Sequence, residues 1–351
     1  GALVVSVPSF RQDLKLEIDL IEEVVRVYGY DRLPSTMPSI VGHPTRIGLE
    51  RRLSGLARDT LISLGMDEVI TYSLVSRDDL TWLGAKDEGG VISIRNPLST
   101  EQETMRRSFI PGMLRTAAWN LNRREKAIRI FEVGKVYYKE GGRFMEEDTL
   151  SMALAGDRSY GWHRREKVTF FDIKGTVKTL LERIGIAEPS FRPGDLPGFL
   201  TGEAASIKID KERIGFFGKV RPEVLEKFDI ESDLFVCELS LKKLLPYFRA
   251  EKRFHQIPRF PSVQRDISIV ARKDISYEEA VAVMREAGGE LIVDIELFDQ
   301  YFGPQVPPGH RSLSYSIEYR AKDRTLTDEE VNRLHSKVCD GLIQKLQVKI
   351  R

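Results

Sequence analysis

The sequence predicts a soluble α+β protein of more than one domain, on three observations. At 351 residues the chain exceeds one typical domain. Strand-like runs and amphipathic helical runs interrupt one another irregularly, rather than in the regular alternation that winds a parallel sheet. The composition is 41% hydrophobic and 30% charged, as in a globular protein with a sizeable core.

The remaining composition narrows the class. A formal net charge of +1 gives no global pull toward nucleic acid, so any such contact rests on local basic patches. Cys237 and Cys339 are far apart and form no CxxC pair, which excludes a disulfide framework and a cysteine zinc site and points to a reducing cytosol. His43, His163, His255, His310 and His335 show no metal-ligand spacing. No apolar run approaches the roughly 18 residues of a membrane span, and no signal-peptide pattern opens the chain. GALVVSVPSF enters directly on a strand-like run without a methionine, so we expect a fragment cut within or just before a small domain.

Residues 1–38 form the first module: a short strand from Leu3 to Val7, a turn at Pro8 and Ser9, and a helix terminated by Gly29 and Pro34. Within it lie Asp13, Asp19, Glu22 and Glu23. On a helix, residues 19, 22 and 23 share one face, and Ile21, Val24, Val25 and Tyr28 take the other. A turn around Leu14 to Leu16 brings the Asp13 carboxylate back over that acidic stripe. Like charges at these spacings repel by about 0.2–0.5 kcal/mol per pair. Periodicity leaves two readings open: an ordinary solvated face eased by Arg26 and the helix dipole, or half of a hard-cation site.

Residues 39–250 follow as a larger α+β region. LERRLSGLARDTLISLG is an amphipathic helix stopped by Gly65, and DEVITYSLV is strand-like. A helix is expected from Pro111 to about Arg124, then a long strand in AIRIFEVGKVYY and a helix in TFFDIKGTVKTLLERIG with a stop at Gly185. ASIKIDKERIGFFGKV is a hairpin turning at Asp210 and Lys211, followed by a helix at RPEVLEKF and a strand at DLFVCELSL.

Residues 251–351 give the clearest architecture. RDISIVAR is a strand, SYEEAVAVMREAG a helix with Ser276 and Glu279 in capping-box spacing, and ELIVDIELFDQYF a strand. RSLSYSIEYRAK, a helix capped by Thr327 and Glu330, and a terminal VKIR strand complete a βαββαβ, ferredoxin-like order. Alternation puts Leu313, Tyr315, Ile317 and Tyr319 inward, with Ser312, Ser314, Ser316, Glu318 and Arg320 outward.

These stretches carry a family resemblance. PSFRQDLKLEIDLIEEVVRVYGYDRLP resembles the B5 domain of bacterial phenylalanyl-tRNA synthetase beta subunits. NPLSTEQETMRRSFIPGML, IRIFEVGKVY, FFDIKG and GKVRPEVLEKFDI resemble their class II synthetase-like antiparallel sheet domain. RFPSVQRDISI, LFDQYFG and DRTLTDEEVN resemble their ferredoxin-fold anticodon-binding domain. The resemblance implies a cytoplasmic, noncatalytic subunit in a heterotetramer of two alpha and two beta chains that joins phenylalanine to tRNA(Phe) using ATP. It assigns Asp13, Asp19, Glu22 and Glu23 to a magnesium ion shared with the alpha subunit.

IRIFEVGKVY also resembles the motif 2 strand of class II synthetases, which implies Arg129 and Glu132 as counterparts of the arginine and glutamate that active members use against ATP. Three residues apart, they face opposite sides of a strand, so the domain reads as a scaffold. The acidic outward face of the last domain repels phosphate, which places tRNA backbone contacts on Arg259, Arg265, Arg311 and Arg324 at strand ends and loops. Two other readings are a free-standing RNA-binding adaptor and a metal-dependent phosphotransfer enzyme using the same four carboxylates. The second lacks a nucleophile and a phosphate loop.

Overall fold

The computed structural model describes residues 3–37, 47–82, 90–158, 166–186, 189–249, 254 and 256–351. His43, His163 and His255 lie outside them. The chain divides into two compact units, Gly1–Lys252 and Arg253–Arg351.

The first unit begins with extended chain. Leu3 to Val7 forms no strand, contrary to the sequence expectation, because no neighbouring backbone pairs with it among the described residues. Helix α1 (Glu17–Tyr28) follows and ends at Gly29, whose φ of 103° suits only glycine.

A seven-stranded sheet forms the body, in the order β1 (Asp67–Glu68), β4 (Ala127–Glu140), β5 (Arg143–Gly156), β9 (Leu234–Ser240), β8 (Glu212–Val220), β7 (Phe199–Ile209) and β6 (Ser190–Pro193). Among the described residues, only the β1–β4 pairing of this sheet is parallel. DEVITYSLV yields just β1 and β2 (Leu74–Val75), the latter pairing with β3 (Thr104–Met105) in a separate ribbon beside the short helix α3 (Arg77–Thr81). The β7–β8 hairpin turns where expected, with Asp210 at φ 53°, a conformation short polar side chains tolerate.

Strand alternation divides this sheet between two cores. Leu150, Met152 and Leu154 of β5, with Phe235, Cys237 and Leu239 of β9, meet helices α2 (Leu49–Ser63), α5 (Phe170–Arg183) and α7 (Leu241–Leu244). Ala153, Ala155, Leu234 and Val236 face the other side, under α4 (Ile110–Leu121) and α6 (Pro222–Glu226).

The second unit is the expected βαββαβ fold. Its antiparallel sheet runs β11 (Ile292–Tyr301), β12 (His310–Tyr319), β10 (Val263–Arg272), β13 (Lys349–Ile350). Helices α8 (Tyr277–Gly288) and α9 (Asp328–Leu346) start at capping boxes built from Ser276 with Glu279 and Thr327 with Glu330. Leu313, Tyr315, Ile317 and Tyr319 are buried against them.

Candidate functional site

The four candidate carboxylates of the first module occupy three different environments. Asp19 is the third residue of α1, and its Oδ2 accepts from the backbone N–H groups of Lys15 and Leu16, both at 2.8 Å. These bonds satisfy donors at the helix start, and they hold the carboxyl below its usual range. Asp13 is folded back, as the turn required, but a guanidinium gathers it in. Arg11 Nη2 lies 2.7 Å from Asp13 and 2.5 Å from Glu23. Arg26, one turn along, takes the other Glu23 oxygen at 2.7 Å. Between two guanidinium groups the Glu23 carboxyl is pushed down to about 2. Glu22 is exposed.

The arrangement therefore presents a neutralised stripe rather than a ready-made cage. No group of three or more histidine, cysteine or acidic side chains is placed to hold a metal ion among the described residues. The donor chemistry suits a hard cation, since all four are carboxylates. The geometry of this chain alone does not, because Arg11 already stands between Asp13 and Glu23. Sequence reading credited Arg26 with part of this neutralisation and missed Arg11, although RQD spacing carried the signal.

The positions that resemble ATP-binding groups are absorbed into structure. Glu132 is buried, accepting from Arg106 Nη1 at 2.8 Å and from the Thr71 backbone and hydroxyl at 3.1 and 2.7 Å. Arg129 leaves this face and donates to the Arg158 carbonyl. The two are separated, as alternation demands.

The four candidate arginines of the C-terminal unit are not gathered into one patch. Arg265 is turned toward α9, bridging Asp328 at 2.8 Å and reaching Asn332. Arg311 donates to the Ile275 carbonyl at 2.6 Å, and Arg324 pairs with Glu330 at 3.0 Å. Arg259 is exposed beside the Gln256 amide.

The face opposite the helices also differs from the expected open serine row. Ser312 and Ser314 are 4% and 8% exposed, and with Asp299, Tyr301, Gln305 and Arg351 they line a cleft of about 500 Å³. Ser268 and Ser314 hydroxyls meet at 2.8 Å, and Arg351 binds Gln305 at 2.6 Å. Alternation named the faces correctly, but not the β11 end and Arg351 that flank a cleft on one of them.

Comparison with known proteins finds three family models in order along the chain. The model for the phenylalanyl tRNA synthetase beta chain CLM domain matches residues 33–241. The tRNA synthetase B5 domain matches residues 1–30, and the ferredoxin-fold anticodon binding domain residues 258–351. A phenylalanine–tRNA ligase beta subunit of Geobacter sulfurreducens is 36% identical over 100% of this chain and 45% of its own length. One of Clostridium tetani is 32% identical over 99% of this chain and 44% of its own length. The chain thus spans less than half the length of these relatives.

Proposed function

We infer a function from one premise: the chain belongs to the phenylalanyl-tRNA synthetase beta-chain family. It acts as the noncatalytic part of a phenylalanine–tRNA ligase, binding the alpha subunit and tRNA(Phe) in the cytoplasm during ATP-dependent aminoacylation. The observation that carries this reading is the ordered match of three family domains across the chain. The internal use of Glu132 and Arg129 supports a scaffold rather than an ATP site in the central sheet. No helix among the described residues is long and apolar enough to cross a membrane.

Exposed apolar side chains support a protein partner. Ile70 and Tyr72 are 93% and 79% exposed and flank Thr71, which lies against the start of α4 at Gly112. Trp119, further along α4, is 62% exposed. Large apolar groups beside a packed helix fit an interface with the alpha subunit.

Magnesium belongs to the same proposal. Asp13, Asp19, Glu22 and Glu23 would supply oxygen ligands at the subunit boundary, with water and alpha-subunit groups completing the shell. The ion would join two chains and has no part in a chemical step here. For Asp13 and Glu23 to serve, Arg11 must swing to another partner.

Native mass measurement of the chain with a candidate alpha subunit and magnesium tests the whole reading. The expected result is a two-alpha, two-beta assembly, with no turnover by this chain alone. Failure to assemble while RNA binding persists favours the free-standing adaptor, and turnover without alpha favours the phosphotransfer enzyme. Glu22→Gln is the cleanest metal variant, since Asp19 also caps α1. Assembly whose magnesium dependence is untouched in Glu22→Gln and in Asp19→Asn/Glu22→Gln would remove the ion from the proposal.

A further inference from the structure

Among the described residues, helix cover over the α4 side of the large sheet is incomplete. α4 and α6 pack on Ala153, Leu234 and Val236, but β4, β5 and β9 run on past the first turn of α4. There, side chains of the same sheet face floor an open cavity of about 330 Å³. Alternation places Glu147 in register with Ala153 along β5, and Glu238 next after Val236 along β9, so the floor changes from aliphatic to carboxyl.

The two carboxyls are held in place. Tyr138 donates to Glu147 at 3.1 Å. Glu238 Oε2 accepts from the Ser108 hydroxyl at 2.8 Å and the Phe109 N–H at 2.9 Å, which leaves Oε1 for another partner. Removal from water pushes the Glu238 carboxyl up to about 7, with Glu147 adding to the rise and Arg106 opposing it. A carboxyl so placed is costly to ionise without a counter-charge, and the scaffold role makes no use of it.

Cations surround the mouth. Arg107 enters from the segment before α4, Arg213 from the start of β8 and Lys243 from α7. Lys243 Nζ is tethered to the Arg213 carbonyl at 3.2 Å, and the Arg213 guanidinium lies 5.5 Å from the Phe216 ring. No carboxylate among the described residues forms an ion pair with any of the three. Arg213 and Lys243 are exposed, whereas Glu147 and Glu238 are partly buried, so the charge is layered: positive rim, acidic floor. A plain anion would meet the floor carboxyls, and a plain amine would have to pass three cations. A molecule with both ends satisfies both layers.

We propose that this cavity binds a small zwitterion, its carboxylate or phosphate held by Arg107, Arg213 and Lys243 and its ammonium by Glu147 and Glu238. The ammonium displaces the proton from Glu238, so binding releases a proton near neutrality. The groups facing Glu238 are Ser108, Phe109 and Arg106 from the α4 entry, Glu147 from β5 and Phe216 from β8.

The test is titration of the whole chain, followed by amide chemical shifts, with two zwitterions of different acid group, γ-aminobutyrate and phosphoethanolamine. Acetate, phosphate and ethylammonium are the single-charge controls. Expected are saturable shifts around Glu238 with at least one zwitterion, and the responding probe identifies the acid. That affinity should rise between about pH 6 and about pH 8 as Glu238 gives up its proton. Glu238→Gln, which keeps an acceptor for Ser108 and Phe109, should weaken it about tenfold. Lys243→Gln, on the exposed rim, should weaken it about threefold while leaving the fold untouched. Acetate or phosphate binding as tightly as the zwitterions would overturn the proposal, as would the absence of saturable shifts or an unchanged affinity in Glu238→Gln.

Discussion

Arg11 with Glu23 and Arg106 with Glu132 are the same chemical pair in two regions of the molecule. The first lies in the N-terminal module with side chains 31% and 27% exposed, the second in the large sheet at 6% and 4%. Water competes for the first, and such pairs contribute about 0–1 kcal/mol. The second is desolvated and bonded to several partners. Arg106 also donates to the Lys135 and Thr71 carbonyls, and its guanidinium lies 3.9 Å from the Phe109 ring. Removing either partner there strands a buried charge. The comparison teaches that an exposed pair is exchangeable, so Arg11 can yield its carboxylates to another cation, whereas the buried pair is part of the frame.

Breaking the buried pair should give the largest effect. Arg106→Gln is expected to cost about 3–5 kcal/mol in denaturant unfolding of the first unit. A loss below about 1 kcal/mol would erase the contrast between the regions.

The two amphipathic helices extend the contrast to apolar groups. Leu342→Ala in α9 removes a fully buried side chain and should cost about 2–4 kcal/mol in the second unit. Val24 in α1 is 67% exposed, and Val24→Ala should change stability by less than about 0.5 kcal/mol. A large loss at Val24 in the free chain would show that α1 is covered after all.

A third measurement concerns pH. The folded-state carboxyl of Glu238, raised to about 7 from 4.5, binds its proton more tightly than the unfolded chain does. Its contribution is intact below about pH 4.5 and is lost as pH rises toward 7, by at most about 3 kcal/mol. Glu238→Gln should therefore gain stability relative to the parent chain between about pH 5 and about pH 8.

The smallest effect belongs to Arg11→Gln. Glu23 runs the opposite way from Glu238: its depressed carboxyl contributes above about 4.5 and loses that contribution as pH falls toward 2. The substitution should scarcely alter the unfolding midpoint, yet carbon-detected titration should find Glu23 closer to an ordinary glutamate. If Glu23 stayed depressed, Arg26 alone would account for it.

Much of this was legible without coordinates, for a local reason. Ser276 with Glu279, Thr327 with Glu330, Gly65, Gly185 and the Asp210 turn are signals read within a few residues, and each stands where expected. Leu3 to Val7 failed because β-propensity has no force without a neighbouring strand. The arginines chosen in the last domain were picked for their places at strand ends and loops, yet Arg265, Arg311 and Arg324 already bond to Asp328, the Ile275 carbonyl and Glu330. Those partners are separated from them in sequence or chosen by packing, and no spacing rule selects them.

By itself the sequence determined most of the element types, the inward faces of the strands, the βαββαβ order and the family, because periodicity, caps and turn residues act over short stretches. Tertiary structure alone decided which charges distant in sequence meet. Arg11 between Asp13 and Glu23, Glu132 beneath Arg106, and Glu238 under a rim of Arg107, Arg213 and Lys243 all depend on the path of the chain between them. Charge pairing falls off over a few ångströms, so it is settled by three-dimensional proximity and by the water that folding removes.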